Sequence, residues 1–223
     1  MNPWQQLDVA RMPGNGGDLR LMQRAAEYSI MLGTTELMNS RLSGSEEALA
    51  VLSCRRLEPY NRPHILIGGL GMGFTLRAAQ NVLPADARIT VAELVPAVID
   101  WARGAIKPVF GDCLEDSRTT IWQGDVGSLI ANSEAMFDAI LLDVDNGPEG
   151  LTRRANDDIY ASAGLRAAQK ALRPGGILSV WSSAPDPGFT QRLGQAGFKV
   201  EEIKTRANGK RGARHVIWMA KKA

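Results

Sequence analysis

From residue 63 onward, short and nearly unbroken apolar runs alternate with stretches whose apolar residues recur at helical spacing. The runs read as strands buried on both faces and the stretches as helices that cover them, which predicts an α/β domain with a mostly parallel sheet. Strands are predicted over 65–68, 89–94, 120–123, 137–144 and 177–182, with helices over 75–83, 96–104, 126–132, 161–172 and 188–195. Pro96 suits a first helical turn, where a missing N–H costs no intrahelical bond. RPGG at 173–176 stops a helix. The last two segments differ in kind: FKVEEIKTRA and RHVIWMAKK alternate apolar and polar residues around the turn NGKRG, so they predict an antiparallel hairpin that completes the sheet.

Before residue 63 the pattern weakens. The Pro/Gly/Asn-rich segment up to Gly17 is expected to be mobile, and DLRLMQRAAEYSIMLG suggests two short strands with a bend between them. Ser43 or Ser45 can cap a helix running to about Leu57, with Glu46 and Glu47 in its first turn and Pro59 past its end. The chain thus divides into a lead-in over 1–58, with short strands and a helix, and a ligand-binding α/β domain over 59–223.

With 223 residues, 44% of them apolar and 22% charged, one α/β domain with a substantial core fits the chain. A net charge of +2 provides no strong field toward nucleic acid or anionic membrane, and neither is expected as a partner. The basic run Lys204, Arg206, Lys210, Arg211, Arg214 reads as a solvated hairpin. Cys54 and Cys113 stand outside any C-x-x-C, which suits a reducing compartment. No basic region precedes an apolar stretch at the N-terminus and no long uncharged apolar run occurs, so a soluble cytoplasmic protein is expected.

Candidate chemistry begins in HILIGGLGMGFTLRAA, where Gly69, Gly71 and Gly73 interrupt a strand-to-helix transition in the order G-x-G-x-G. That spacing is one residue tighter than the G-x-G-x-x-G of dinucleotide folds, and no G-x-x-x-x-G-K-S/T phosphate loop is present. Glycine permits the positive φ of a sharp turn and lets a ligand lie across the backbone. Glu93 ends the next apolar run, where a carboxylate can accept hydrogen bonds from a ribose diol. Asp125 ends the one after, within reach of an adenine amino group or as the cap of the helix starting at Val126. Glycines and two acids at three strand ends give the crevice geometry of an open parallel sheet. Here the chain resembles the class I S-adenosylmethionine-dependent methyltransferases, with their Rossmann-like fold. The resemblance implies S-adenosylmethionine or its decarboxylated form as cofactor, held by Gly69, Gly71, Gly73, Glu93, Leu94, Asp125, Val126 and Asp143.

FDAILLD runs into VDNGPEG, so Asp143 and Asp145 emerge at the end of the fourth parallel strand. Close carboxylates raise one pKa by repulsion, bringing a proton acceptor toward neutrality, and attract a cationic amine; as alternatives, Asp143 caps a loop and Asp145 makes an Asx-turn. LLDVDNGPEGL, GGLGMG, AELVPAVIDWAR and ALRPGGILSVW together resemble the spermidine synthase family, whose two loop aspartates hold and deprotonate the attacking amine. The resemblance places Asp143, Asp145 and Tyr160, at the end of RRANDDIY, as the catalytic set. SGSEEALAV stands where that family has a Tyr-His-Glu cluster, leaving Glu46 or Glu47 as the nearest equivalents. Trp181 is either core or a wall of the acceptor pocket. His64 and His215 lack a metal-ligand partner at useful spacing, and no resident metal is expected. The expected function is methyl transfer to a small amine or hydroxyl acceptor. The alternatives are aminopropyl transfer to a polyamine-like amine and a non-catalytic nucleotide-binding protein; a homodimer is compatible with each.

Overall fold

The computed structural model describes residues 2–57, 62–144, 148, 158–208 and 211–223. Two sheets organise it. The first is an antiparallel meander of β1 (Gln5–Arg11), β2 (Asp18–Arg24), β3 (Glu27–Leu32) and β4 (Thr35–Asn39) in the order β1-β2-β3-β4. The second has the order β10-β11-β9-β8-β5-β6-β7, built from β5 (His64–Gly68), β6 (Arg88–Glu93), β7 (Thr119–Gln123), β8 (Phe137–Leu142), β9 (Leu172–Ser182), β10 (Phe198–Asn208) and β11 (Arg211–Lys222). Pairs among β5 to β9 are parallel, and β11 runs antiparallel to both β9 and β10. This is the mostly parallel α/β sheet with an antiparallel C-terminal hairpin that the pattern predicts.

Alternation along the central strands explains the layering. In β5, Ile65 and Ile67 join the core on one face and Leu66 the core on the other; in β8, Ala139 and Leu141 part from Ile140 and Leu142 in the same way. The first face is covered by α1 (Gly44–Arg55), α2 (Phe74–Val82), α3 (Pro96–Arg103) and α4 (Lys107–Phe110), through residues such as Leu49, Leu76, Ile99 and Phe110. The second is covered by α5 (Val126–Ala131), α6 (Ser162–Ala171) and α7 (Pro187–Gln195), through Ile130, Leu165 and Phe189. A strand side chain buried on either face needs no polar partner, which is why these runs read as continuous apolar segments. Leu19, Leu21, Tyr28 and Ile30 of the meander join the first core, so the small sheet lies over the same side as α1 to α4.

Two elements correct the sequence reading. The segment expected to be mobile before Gly17 contains β1 and a short 3-10 turn, Pro13–Asn15; β1 pairs along β2 although six of its seven residues are exposed. Its order comes largely from backbone pairing, and its large apolar residues, Leu7 and Val9, are exposed rather than buried. In β9, Leu172 already pairs with Phe137 while Ile177 pairs with Ala139, so RPGG bulges out of a strand that begins earlier than expected.

The base of the central sheet is tied by Asp138, 1% exposed, whose Oδ2 accepts from the His64 backbone N–H and from Arg173, each at 2.7 Å. One carboxylate thus fixes the starts of β5 and β8 and the bulge of β9. Asp138→Ala is expected to cost about 2–3 kcal/mol, since it leaves a backbone N–H and a guanidinium without their charged acceptor; urea unfolding measures it.

Candidate active site

The strand order reverses between β5 and β8, where successive connections leave toward opposite faces and open a crevice at the carboxyl ends of the strands. The glycine turn after β5 forms one side. Gly69, Gly71 and Gly73 have φ of 90°, 53° and 75°, a region that side chains with a Cβ rarely occupy. Their surroundings differ. A Cβ on Gly69 would overlap the carbonyl oxygen of Asp143, and one on Gly73 would press into the ring of Phe110, whereas one on Gly71 would meet only Met38 Sδ at 3.6 Å. Gly71 faces open space; Gly69 and Gly73 are required by the protein's own packing.

Glu93 closes β6 and is 8% exposed. Its Oε2 accepts from Leu70 N–H at 3.0 Å and its Oε1 from Val95 N–H at 2.8 Å, so it braces the glycine turn as well as its own loop. Burial pushes its carboxyl above the usual range, and the backbone N–H groups work the other way. Asp125 caps α5, with Oδ1 accepting from Ser128 N–H at 2.8 Å.

These strand ends enclose two adjoining chambers. The first is lined by Gly69, Gly71, Glu93, Leu94, Asp125, Val126 and Asp143, with Met12 and Leu19 of the meander side above them. The second is lined by Asn39, Glu46, Leu70, Met72, Phe74 and Trp181. Leu37, Met38, Gly71 and Asp143 belong to both, so Asp143 stands where the chambers meet. Its backbone N–H donates to the Gly68 carbonyl at 3.0 Å and its Oδ2 accepts from Thr75 Oγ1 at 2.5 Å. Burial, reinforced by the charge of Glu46, pushes the Asp143 carboxyl up to about 7, against the pull of the Thr75 hydroxyl. Glu46 itself is raised by burial, with its Oε2 accepting from Ser45 Oγ at 2.6 Å.

The crevice brings together most of the residues singled out in the sequence. Gly69, Gly71, Glu93, Leu94, Asp125, Val126 and Asp143 share the first chamber, and Trp181 walls the second. Gly73 lies outside both, at the N-terminus of α2. Tyr160 is turned the other way: 2% exposed, its ring is edge-on to Phe189 at 5.7 Å and its Oη donates to the Val144 carbonyl at 3.3 Å. Its ring belongs to the second core and lines neither chamber. Asp145 lies outside the described residues. Leu37 and Met38, which come from the separate meander, and Thr75, which holds Asp143, carry no signal in the sequence pattern. Among the described residues no three His, Cys, Asp or Glu side chains lie close enough together to hold a metal ion, and no helix is long and apolar enough to cross a membrane.

The spermine/spermidine synthase domain family matches residues 45–189, and the chain belongs to that family. A polyamine aminopropyltransferase of Nitrosomonas europaea is 34% identical over 128 residues, covering 56% of this chain and 36% of that protein. Putrescine N-methyltransferase 4 of Nicotiana tabacum is 31% identical over 127 residues, covering 54% of this chain and 31% of that protein. The match thus spans about a third of these curated relatives. A spermidine synthase solved with the transition-state analogue AdoDATO superposes with a TM-score of 0.77 at 17% identity, over 98% of this chain and 73% of that one. Spermidine synthase from Thermotoga maritima gives 0.75 at 16%, with the same coverage. The fold is therefore the Rossmann-like fold of those enzymes.

The different surroundings of the glycines separate two substitutions. Gly69→Ala is expected to cost more than about 3 kcal/mol or to prevent folding, because backbone overlap adds to the left-handed strain. Gly71→Ala carries only the strain, about 1 kcal/mol; thermal melts compare them. A second prediction concerns pH. The folded-state pKa of Asp143, about 7, lies above its ordinary 3.8, so the native state binds this proton more tightly and stability falls as pH rises between those values. Asp143→Asn is expected to raise the melting temperature at pH about 8 and to leave it nearly unchanged at pH about 4, where the native-state group is protonated.

Proposed function

We propose that the first chamber holds an S-adenosyl donor, the second an amine, and that the chain catalyses aminopropyl transfer from decarboxylated S-adenosylmethionine. The observation that carries this reading is charge. The described residues lining the two chambers include Glu46, Glu93, Asp125 and Asp143 and no Lys, Arg or His. Such a field attracts alkyl ammonium groups, whereas the carboxylate of intact S-adenosylmethionine meets no side-chain cation among those residues. The residues also fit the donor's nucleoside: Gly71 leaves space over the turn, Glu93 and Asp125 offer acceptor oxygens, and Leu94 and Val126 add apolar surface between them.

The donor supplies an electrophilic carbon on a sulfonium, and the departing sulfur keeps the bonding pair as a neutral thioether. Proximity accounts for most of the acceleration, because the two chambers align nucleophile and carbon across their shared wall. The carboxylate of Asp143 takes the proton that the amine nitrogen sheds as the new N–C bond forms. A pKa of about 7 suits that task, leaving much of the group ionised at neutral pH while keeping it basic enough to hold a proton. Thr75 fixes Oδ2, so Oδ1 is the oxygen not committed to it.

Residue pattern alone ranks methyl transfer first, and the acidic lining moves the weight to aminopropyl transfer. The likeness to putrescine N-methyltransferases supports methyl transfer from the intact cofactor as the second reading, with the same proton acceptor.

Mass analysis of products formed from each donor with α,ω-diamines tests the proposal. An amine extended by an aminopropyl group is expected; a methylated amine alone, or donor binding without turnover, contradicts it. Asp143→Asn should reduce turnover by about a hundredfold to ten-thousandfold, far more than it weakens donor binding. An unimpaired rate in that variant removes Asp143 as the proton acceptor.

A further inference from the structure

His215 lies on β11, outside the lining of either chamber, and is 170 positions from the residue it touches: its Nδ1 is 2.9 Å from Ser45 Oγ. Ser45 is 1% exposed, and its Oγ is also 2.6 Å from Glu46 Oε2. A hydroxyl has one proton to give. An ionised Glu46 can only accept, so the Ser45 proton goes to Oε2, and Oγ must in turn accept from an N–H on His215 Nδ1. The imidazole is thereby fixed as the Nδ1–H tautomer, and the line His215 to Ser45 to Glu46 runs as a one-way relay of donors ending at the carboxylate.

We infer that His215 is a positioning residue for the amine: acting through Ser45, it fixes the Glu46 carboxylate as the anchor for the acceptor's second ammonium group. The inference rests on the amine-transfer reading and concerns the second chamber, which Glu46 and Asp143 both line. A diamine is the substrate class it implies, one nitrogen reacting beside Asp143 and the other held by Glu46. The relay needs a neutral donor. Lys or Arg at this place would orient Ser45 equally well, yet its charge would oppose the ammonium. Burial holds His215 below its ordinary pKa, so the ring donates without charge at neutral pH. A donor to Oγ also polarises the hydroxyl and strengthens its bond to Oε2.

The ring has a second contact, an edge-on packing against Trp181 with centroids 4.8 Å apart, and Trp181 walls the same chamber. Two substitutions separate the roles. Asn places its amide nitrogen the same number of bonds from Cα as Nδ1, keeping the donor and losing the ring; Phe keeps the ring and loses the donor. Steady-state kinetics with 1,4-diaminobutane should show KM raised about fivefold to tenfold by His215→Phe and by Ser45→Ala, with kcat at saturation within about threefold. His215→Asn should return most of the lost affinity, and the double variant S45A/H215F should be no worse than either single change. Donor affinity, measured by calorimetry, should be unchanged throughout. The inference is overturned if His215→Phe behaves as wild type while His215→Asn is impaired, or if Ser45→Ala and His215→Phe add. If the wild-type protein neither converts nor binds 1,4-diaminobutane, the amine reading fails and the inference falls with it. If wild type does so and His215→Phe matches it, only the inference fails.

Discussion

The site hangs on a buried carboxylate that spends both oxygens on backbone. Glu93 holds Leu70 N–H in the glycine turn and Val95 N–H in its own loop. Hydrogen bonds to a charged group contribute about 1.5–3 kcal/mol each, enough to offset much of the cost of burying the acid. The held turn then sets the geometry of the next elements. Gly71 is left facing the crevice, Gly73 starts α2, and two residues past Gly73 Thr75 meets Asp143. A carboxylate at the end of β6 therefore determines where the carboxylate after β8 can be held. Glu93 would offer a ligand only its remaining lone pairs, so in the proposed site its structural and binding roles are joined in one side chain.

Electrostatics obey the same compression. Glu46 and Asp143 line one chamber, with burial raising both carboxyls and the charge of Glu46 raising Asp143 further. The fold accepts this cost because each acid has one hydroxyl donor, Ser45 for Glu46 and Thr75 for Asp143, that favours the ionised form. A bound ammonium relieves the remaining repulsion, and without one Asp143 is poised between its two protonation states near neutrality. In the proposed mechanism, stability and function thus pull in opposite directions at this residue.

Much of this architecture is legible in the sequence, for identifiable reasons. Strands buried on both faces and helices with one apolar stripe leave distinct periodicities, so the alternation from β5 to α7 can be read closely. The glycines, Glu93, Asp125 and Asp143 fall at strand ends, and topology carries strand ends of a parallel sheet to one crevice. The four residues of α4 are too few to show a period. Strand β1 is exposed along nearly its whole length, so its Leu7 and Val9 mark no buried face. Tyr160 can be placed near the end of a loop, but which way a ring turns depends on what it packs against, here Phe189. The meander's Leu37 and Met38, and the pairing of Ser45 with His215, arise from contacts between elements remote in the chain, which no local pattern encodes.

The proposal of aminopropyl transfer rests on an acidic crevice, lined among the described residues by no Lys, Arg or His and suited to ammonium groups. The most direct test is calorimetric comparison of decarboxylated with intact S-adenosylmethionine at neutral pH, in the absence of any acceptor. The decarboxylated form is predicted to bind at least about tenfold more tightly, since the carboxylate of the intact form would lie among acids with no side-chain cation to balance it. Equal or tighter binding of the intact form would contradict this electrostatic design.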